Sequence, residues 1–356
     1  MYRILCDSYV LYDPRLLDLL VIEPELTQKK NEPGELTFTI PKEHPHYGVL
    51  EKLKTRIKVY RDNTLIWIGR AIEDERDLYE NRKVVTEGVL AFLLDSVIRP
   101  FTTDGTVAEV WAYLLTQHNA QVNPNQGLII GTCDIAGSVS ITTKDYLSAW
   151  QVLKSSLLDP FGGYLIVRYD ENENPILDYL SDVLDTSTQR IEFGENLIDL
   201  VLSKSASETY TACIPLGAAL RDIDPDPESD ARLTIVSVNE GQDYLIDRAL
   251  ATEYGVIFAP SGLTTWDEIT DPTILVNRGR DWLNGTGARF KQTIKLSAVD
   301  LHNADANVES FQFLDKVVVS CGTLCPEETY ILSELTIPLN NPASTGIVLG
   351  DSRPSL

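Results

Sequence analysis

Between Glu32 and Asp95 the chain alternates apolar and polar residues in short runs separated by turn formers, and few folds accept that pattern. Leu36, Phe38 and Ile40 alternate with Thr37 and Thr39, the two-residue period of a strand with one apolar face, and Pro41 closes the run. Ile57, Val59, Leu65, Ile66 and Ile68 fall in two further runs on either side of Asp62-Asn63, a hairpin turn pair. Lys83 to Gly88 reads as another strand, and Leu90 to Leu94 as a short apolar helix or turn. Five or so short strands joined by tight turns predict a small barrel or curled sheet.

The rest of the chain divides by pattern. Residues 1–98 form the first β-rich, barrel-like unit, with Arg3 to Tyr12 as its first strand and Asp13-Pro14 as a turn. Residues 99–195 read as α+β. Thr106 and Glu109 have capping-box spacing, and Val107, Val110, Trp111, Leu114 and Leu115 repeat behind them at helical spacing. A second helix is predicted from Thr143, with Leu147, Trp150, Leu153 and Leu157 on its apolar face and Pro160 as its stop. Tyr164 to Tyr169 and Ile176 to Leu180 read as a hairpin around the acidic turn at 170–174. Residues 196–238 and 288–356 are expected to form a second barrel-like unit, and 239–287 an inserted helical and irregular segment in which Pro272 starts a helix and Gly285 caps it. The fold class is therefore multidomain α+β, rich in β, with two small barrel-like units around α+β material.

Composition narrows the partners. The 356 residues include 30 Lys and Arg against 53 Asp and Glu, a net charge of −23. A nucleic-acid binder needs a basic footprint, and none is present. The acidity serves solubility, or lines a lumen through which DNA slides without sticking. The five cysteines, Cys6, Cys133, Cys213, Cys321 and Cys325, are odd in number and scattered, unlike a secreted disulfide framework. No apolar run approaches a membrane helix, and the first residues do not read as a signal peptide. Synthesis and folding in a reducing cytoplasm are expected.

Five stretches in order resemble the N-terminal structural region of the tail-associated proteins of phages of Gram-positive bacteria, the prophage endopeptidase tail family. They are Gly34 to Pro41, His44 to Tyr47, Leu53 to Thr55, Ile68-Gly69-Arg70 and Glu87 to Asp95. Phe161 to Leu165, Leu177 to Leu180, Ile191 to Leu200, Thr211 to Ala218, Leu233 to Asn239 and Ile347 to Gly350 extend the likeness over nearly the whole chain. The resemblance implies the fold of the hub proteins of contractile phage tails: a homotrimer whose six barrels match a sixfold tail tube to a threefold tip. It implies a place in the virion tail tip or baseplate, docking to the distal tail protein and other tip proteins, and transient passage of phage DNA without specific binding. Longer members carry a hydrolase or receptor-binding extension after the region matched here. Either this is the short form of the protein or a longer chain has been cut.

The family label calls for a search for catalysis. No His-Glu-x-x-His, Gly-x-Ser-x-Gly or phosphate-cradling loop occurs. His44 and His46 share one face of an extended segment and form a conceivable metal pair, but no third ligand accompanies them. His118 is expected at a helix C-terminus, where a cation suits the dipole, and His302 follows Asp300 at a strand end. Cys321 and Cys325 have a spacing some zinc sites use, but a second ligand pair is missing. Asp222, Asp224 and Asp226 copy the opening of a calcium loop, and Glu228 and Asp230 follow. Pro227 stands where that loop needs Gly, and Leu233 where it needs Glu. The pattern assigns no catalytic, cofactor or metal residue and predicts a structural protein. A peptidoglycan endopeptidase and a cell-wall carbohydrate-binding module are the alternatives; Trp67, Trp111, Trp150, Trp266 and Trp282, which could serve the latter, sit mostly at core-patterned positions.

Overall fold

The computed structural model describes residues 1–143, 145–183, 185–205, 209–220, 231–267, 269–284, 291–305, 307–322 and 327–350. Contacts divide the chain into two units, one of 1–202 with 294–356 and one of 203–293.

The chain opens with β1 (Tyr2–Cys6), β2 (Tyr9–Tyr12), β3 (Ile22–Lys29), β4 (Glu35–Ile40), β5 (Arg56–Arg61), β6 (Thr64–Arg76) and β7 (Arg82–Gly88). A 3-10 turn over Val89–Leu94 leads to β8 (Val97–Ile98), β9 (Phe101–Thr106) and helix α1 (Val107–Asn119). Next come β10 (Ile129–Cys133), β11 (Ser138–Thr143), β12 (Leu147–Ser148), α2 (Ala149–Leu153), a π-helical turn (Lys154–Leu158), α3 (Asp159–Phe161), β13 (Tyr164–Tyr169) and β14 (Pro175–Leu180). β15 (Ile191–Glu192) and β16 (Leu197–Ser205) precede the second unit, which holds β17 (Ala212–Cys213), β18 (Leu245–Ile246), α4 (Arg248–Tyr254) and α5 (Pro272–Trp282). β19 (Lys291–Ala298), β20 (Lys316–Ser320), β21 (Glu328–Pro338) and β22 (Gly346–Gly350) complete the chain.

Both β-rich stretches belong to one 13-stranded sheet among the described residues, in the order β16-β19-β22-β21-β3-β4-β7-β6-β5-β1-β2, with β20 beside β21 and β15 beside β20. The join is the antiparallel β21–β3 pair, where Leu335 faces Gln28 and Ile337 faces Leu26. No strand pairing among the described residues closes either half into a barrel. The expected alternation holds on β4: Leu36, Phe38 and Ile40 are buried while Thr37 and Thr39 are half-buried. These side chains share one core with Ile57, Val59, Leu296, Val317 and Leu349, drawn from both ends of the chain.

The middle of the first unit has a separate core. Trp111, Leu114 and Leu115 of α1 pack with Leu153 and Leu157, and with Leu165, Leu177 and Tyr179 of the β13–β14 hairpin. The Thr106–Glu109 box closes α1 in both directions: Glu109 N–H donates to Thr106 Oγ1 (3.2 Å) and Thr106 N–H to Glu109 Oε2 (2.8 Å).

Four expectations need correction. Arg3 to Tyr12 is a hairpin, turned at Asp7 with φ 50°, where the apolar run hides the reversal. The second helix begins at Ala149 with its own Ser148–Gln151 box, whereas Ser138–Thr143 pairs with β9 as a strand. Pro160 sits within the last helical turn, directly after the π-helical turn at Lys154–Leu158, and the helix runs one residue past it to Phe161 before Gly162 at φ 68° ends it. Residues 212–213 pair with 245–246, outside the large sheet, in a unit whose own core holds Cys213, Ile235, Trp266 and Leu275. Pro272 does open α5, where Asp271 caps the N–H groups of Thr273 (2.7 Å) and Ile274 (3.1 Å); Gly285 lies outside the described residues.

A candidate assembly surface

Two motifs of the N-terminal stretch, Ile68-Gly69-Arg70 and Glu87 to Asp95, meet at one node. Strand β6 brings Arg70 between Glu87 at the end of β7 and Asp95 after the 3-10 turn. Its guanidinium donates to Glu87 Oε1 (2.8 Å) and to both oxygens of Asp95 (2.5 and 2.9 Å), and lies 4.9 Å from the Phe92 ring centroid. Arg70 is buried, and its planar fork suits this two-carboxylate contact. Beside it Gly69 faces Gly88 across the β6–β7 ladder, leaving space for the Trp67 indole. A Cβ at Gly69 would stand 2.1 Å from Trp67 Cη2, and one at Gly88 1.9 Å from the Pro33 carbonyl oxygen.

The β13–β14 hairpin reaches β5 and β6 through its turn. Glu173 accepts from Lys58 Nζ and the Tyr60 hydroxyl, and its backbone carbonyl accepts from Arg56 (2.8 Å). The Ile68 N–H donates to the Tyr169 hydroxyl (2.9 Å). The Lys58 ammonium is the main influence holding Glu173 below the usual carboxylate range. Between this hairpin, β6 and the segment at 311–314 lies a cavity of about 480 Å³, lined in part by Leu65, Trp67, Leu90, Val167 and Phe313.

Each histidine has hydrogen-bond partners within the chain. The His44 Nε2–H donates to the Leu11 carbonyl (2.9 Å), while its Nδ1 accepts the His46 N–H (3.0 Å), so neither nitrogen is free for a metal. His46 Nδ1 caps the Val10 carbonyl (2.9 Å). The motif thus covers backbone acceptors of β2, at one end of the sheet order, and burial pulls the His44 pKa down. His118 is not an exposed cation at a helix end. It is buried between Ser96 Oγ (2.8 Å) and the Gln126 carbonyl (3.1 Å), and burial lowers its pKa because the charged form would lose its water. His302 donates to the Val308 carbonyl (2.7 Å) and meets Asp62 Oδ2 at 3.1 Å, and these contacts raise its pKa.

Cys6, Cys213 and Cys321 are buried thiols, and Cys133 is half-buried. Burial pushes Cys6 up to about 12 and Cys213 up to about 11, the reverse of what a nucleophile needs. Cys325 and the acidic residues Asp222, Asp224, Asp226, Glu228 and Asp230 lie outside the described residues. Among those described, no group of three or more His, Cys, Asp and Glu is placed to hold a metal ion. No helix among them is long and apolar enough to cross a membrane. Trp67, Trp111 and Trp266 are buried, and Trp150 and Trp282 are partly buried against cores.

What the surface offers is apolar contact. The β6–β7 turn displays Leu78 and Tyr79, 92% and 76% exposed, and the connection after β2 displays Leu16 and Leu17. Phe193 is 76% exposed before β16. In the second unit Tyr254, Val256, Ile257, Phe258 and Leu263 are exposed within ten residues of one another. None of these stands out by periodicity, although leucine and tyrosine at turn positions, where polar residues usually stand, are a usable signal.

Three solved structures superpose over nearly the full length of both partners. Prophage tail protein gp18 from Listeria monocytogenes EGD-e matches with a TM-score of 0.61 and 12% identity, covering 99% of this chain and 95% of that chain. The fold is that of a prophage tail protein. The 43 kDa tail protein of prophage MuSo2 from Shewanella oneidensis gives a TM-score of 0.62 at 12% identity, with 99% and 98% covered. The tail protein from Neisseria meningitidis MC58 gives 0.65 at 11%, with 98% and 96% covered. No protein-family model and no curated protein matches the chain. The tail-protein fold is thus carried at an identity that shows architecture alone.

Proposed function

We propose that this chain is a structural component of a phage or prophage tail, the hub at the tail tip or baseplate. The observation that carries the reading is the end-to-end match, in both directions, to three tail proteins, two of them from prophages. In the finer reading three copies form a ring, and each contributes two barrel-like halves. The first is 1–98; the second is drawn from β15, β16 and β19 to β22. The α+β part at 99–195 and the unit at 203–293 complete the subunit. Such a ring joins a sixfold tube to a threefold tip, docks on the distal tail protein and lets DNA through. The net charge of −23 supports passage without retention. Exposed apolar groups in both units support burial in an assembly. The chain would be made in the host cytoplasm and act in the virion. The Gram-positive host rests on the sequence motifs, since the fold occurs in proteins from Listeria, Shewanella and Neisseria.

No observation favours the enzyme reading or the glycan-binding reading: the Cys6, Cys133 and Cys213 thiols have raised pKa values and the tryptophans pack in cores. Deletion of the gene from an inducible phage genome tests the proposal. Loss of complete tails, restored by the gene in trans, is the expected result. Normal, infective particles would overturn it.

A further inference from the structure

Two strands run out of partners at the same place. The pairing of β6 with β7 begins at Gly69, so Thr64 to Ile68 have β5 on one side and, among the described residues, no strand on the other. β13 is an outer strand of its three-stranded sheet, with β14 on one side alone. An unpaired edge presents a row of backbone N–H and C=O groups that need partners.

Both edges border the cavity of about 480 Å³, each with five consecutive residues, 64–68 and 165–169. Successive residues of a strand point to opposite faces, so a space that touches five in a row lies along the edge and not on a face. Side chains already stand in for a partner strand at both edges. The Asn31 amide accepts the Leu165 N–H (2.8 Å) and donates to the Gly163 carbonyl (3.0 Å), as the backbone of a neighbouring strand would. The Tyr169 hydroxyl accepts the Ile68 N–H (2.9 Å). Because the Leu165 N–H faces away from β14, the alternation of the ladder turns the N–H and C=O of Val167 the same way. On β6 a bulge leaves Ile66 without a partner on β5. Ile66 and Val167 are half-buried, where backbone groups seldom stay unpaired.

We propose that the cavity is a slot for one extended, uncharged and largely apolar peptide segment of a neighbouring tail protein, which enters as an added strand and pairs with the edges at Ile66 and Val167. Added strands draw affinity from main-chain hydrogen bonds and specificity from side-chain pockets. Leu65, Trp67 and Phe313 supply apolar walls. Lys29, Arg61 and Arg168 in the lining are matched in number by Glu32, Asp170 and Glu173, so a charged side chain finds as many like as unlike charges. Five residues of strand span about 16 Å, which sets the length of the segment. The slot follows from the edges; the source of the segment rests on the tail reading above.

The slot is tested on the purified full chain by amide hydrogen exchange with the probe acetyl-Val-Thr-Val-Thr-Val-amide. At ten times its Kd the probe should slow the amides of 64–68 and 165–169 about tenfold and leave the β6–β7 turn unchanged. The same peptide N-methylated throughout keeps the side chains and loses the strand donors, and should protect neither stretch. Equal protection by both peptides, or none by either at millimolar peptide, would overturn the slot. The source is tested in particles, with a photo-cross-linking side chain at Thr64, an exposed residue of the lining, on a gene copy supplied beside the wild type so that assembly is kept. Cross-links to an uncharged segment of another tail protein are expected. Particles that contain the substituted chain and give no cross-link, or cross-links to this chain alone, would overturn the source. Particles without the chain would overturn the tail reading instead, and the probe result would still decide the slot.

Discussion

Arg70 Nη1 and Nη2 meet Asp95 Oδ2 and Oδ1 at 2.5 and 2.9 Å, tying strand β6 to the segment that leaves the first sheet for α1. Glu87 shares the same guanidinium, so one buried cation joins three stretches. Replacing Arg70 by Met keeps the bulk and strands two carboxylates, each still partly in water. We expect a loss of about 3 kcal/mol, the low end for breaking a buried pair. Arg70→Lys should recover little, because an ammonium does not span both partners. Urea unfolding of the two variants beside wild type checks this.

The glycines near Trp67 make a paired prediction. Gly88→Ala places a methyl 1.9 Å from a backbone oxygen, where no side-chain rotation relieves the clash. The cost should be at least about 1–3 kcal/mol, the usual range for overpacking. A methyl added at Gly48 would meet nothing within 4 Å, and the backbone there is unstrained, so Gly48→Ala should be neutral or slightly stabilising. Equal melting temperatures for the two variants would contradict the packing described around Trp67.

Asp315 gives the fold a pH dependence of definite sign. Burial, opposed by the Gln312 N–H and reinforced by Asp185 and Glu309, pushes its carboxyl up from 3.8 to about 6. Between those two values the folded chain holds a proton that the unfolded chain has released. Stability from this group therefore falls as pH rises from about 4 to about 6, then stays low. The penalty at pH 7 is on the order of 2–3 kcal/mol. Asp315→Asn keeps the acceptor oxygen and removes the charge, so it should stabilise the protein at pH 7.5 and hardly at all at pH 4. Unfolding free energies of variant minus wild type across that range isolate the effect from other carboxylates.

Local signals were legible where one turn or cap decides the structure. Asp62-Asn63 turns the β5–β6 hairpin with Asp62 at φ 53°, and Thr106 and Asp271 cap the helices expected after them. Legibility failed where two local signals compete. Thr143 and Ser148 are both residue types that cap helix starts, and pairing of Ser138–Thr143 with β9 decides in favour of Ser148. The parallel β10–β14 pair has no local signature because its partners are separated by three strands and a helical stretch over 149–161. The cavity was out of reach altogether: Thr64, Leu165 and Phe313 come from distant parts of the chain, and no local period brings them together. The apolar tip at Leu78 and Tyr79 is visible in the sequence, but the usual turn signals are polar and point past it.

The most direct measurement is the position of this chain in a particle. An antibody against the purified protein, imaged on intact phage or induced prophage tails by electron microscopy, should label the tail tip and nowhere else. Label on the shaft or head, or particles that never carry it, would contradict the account.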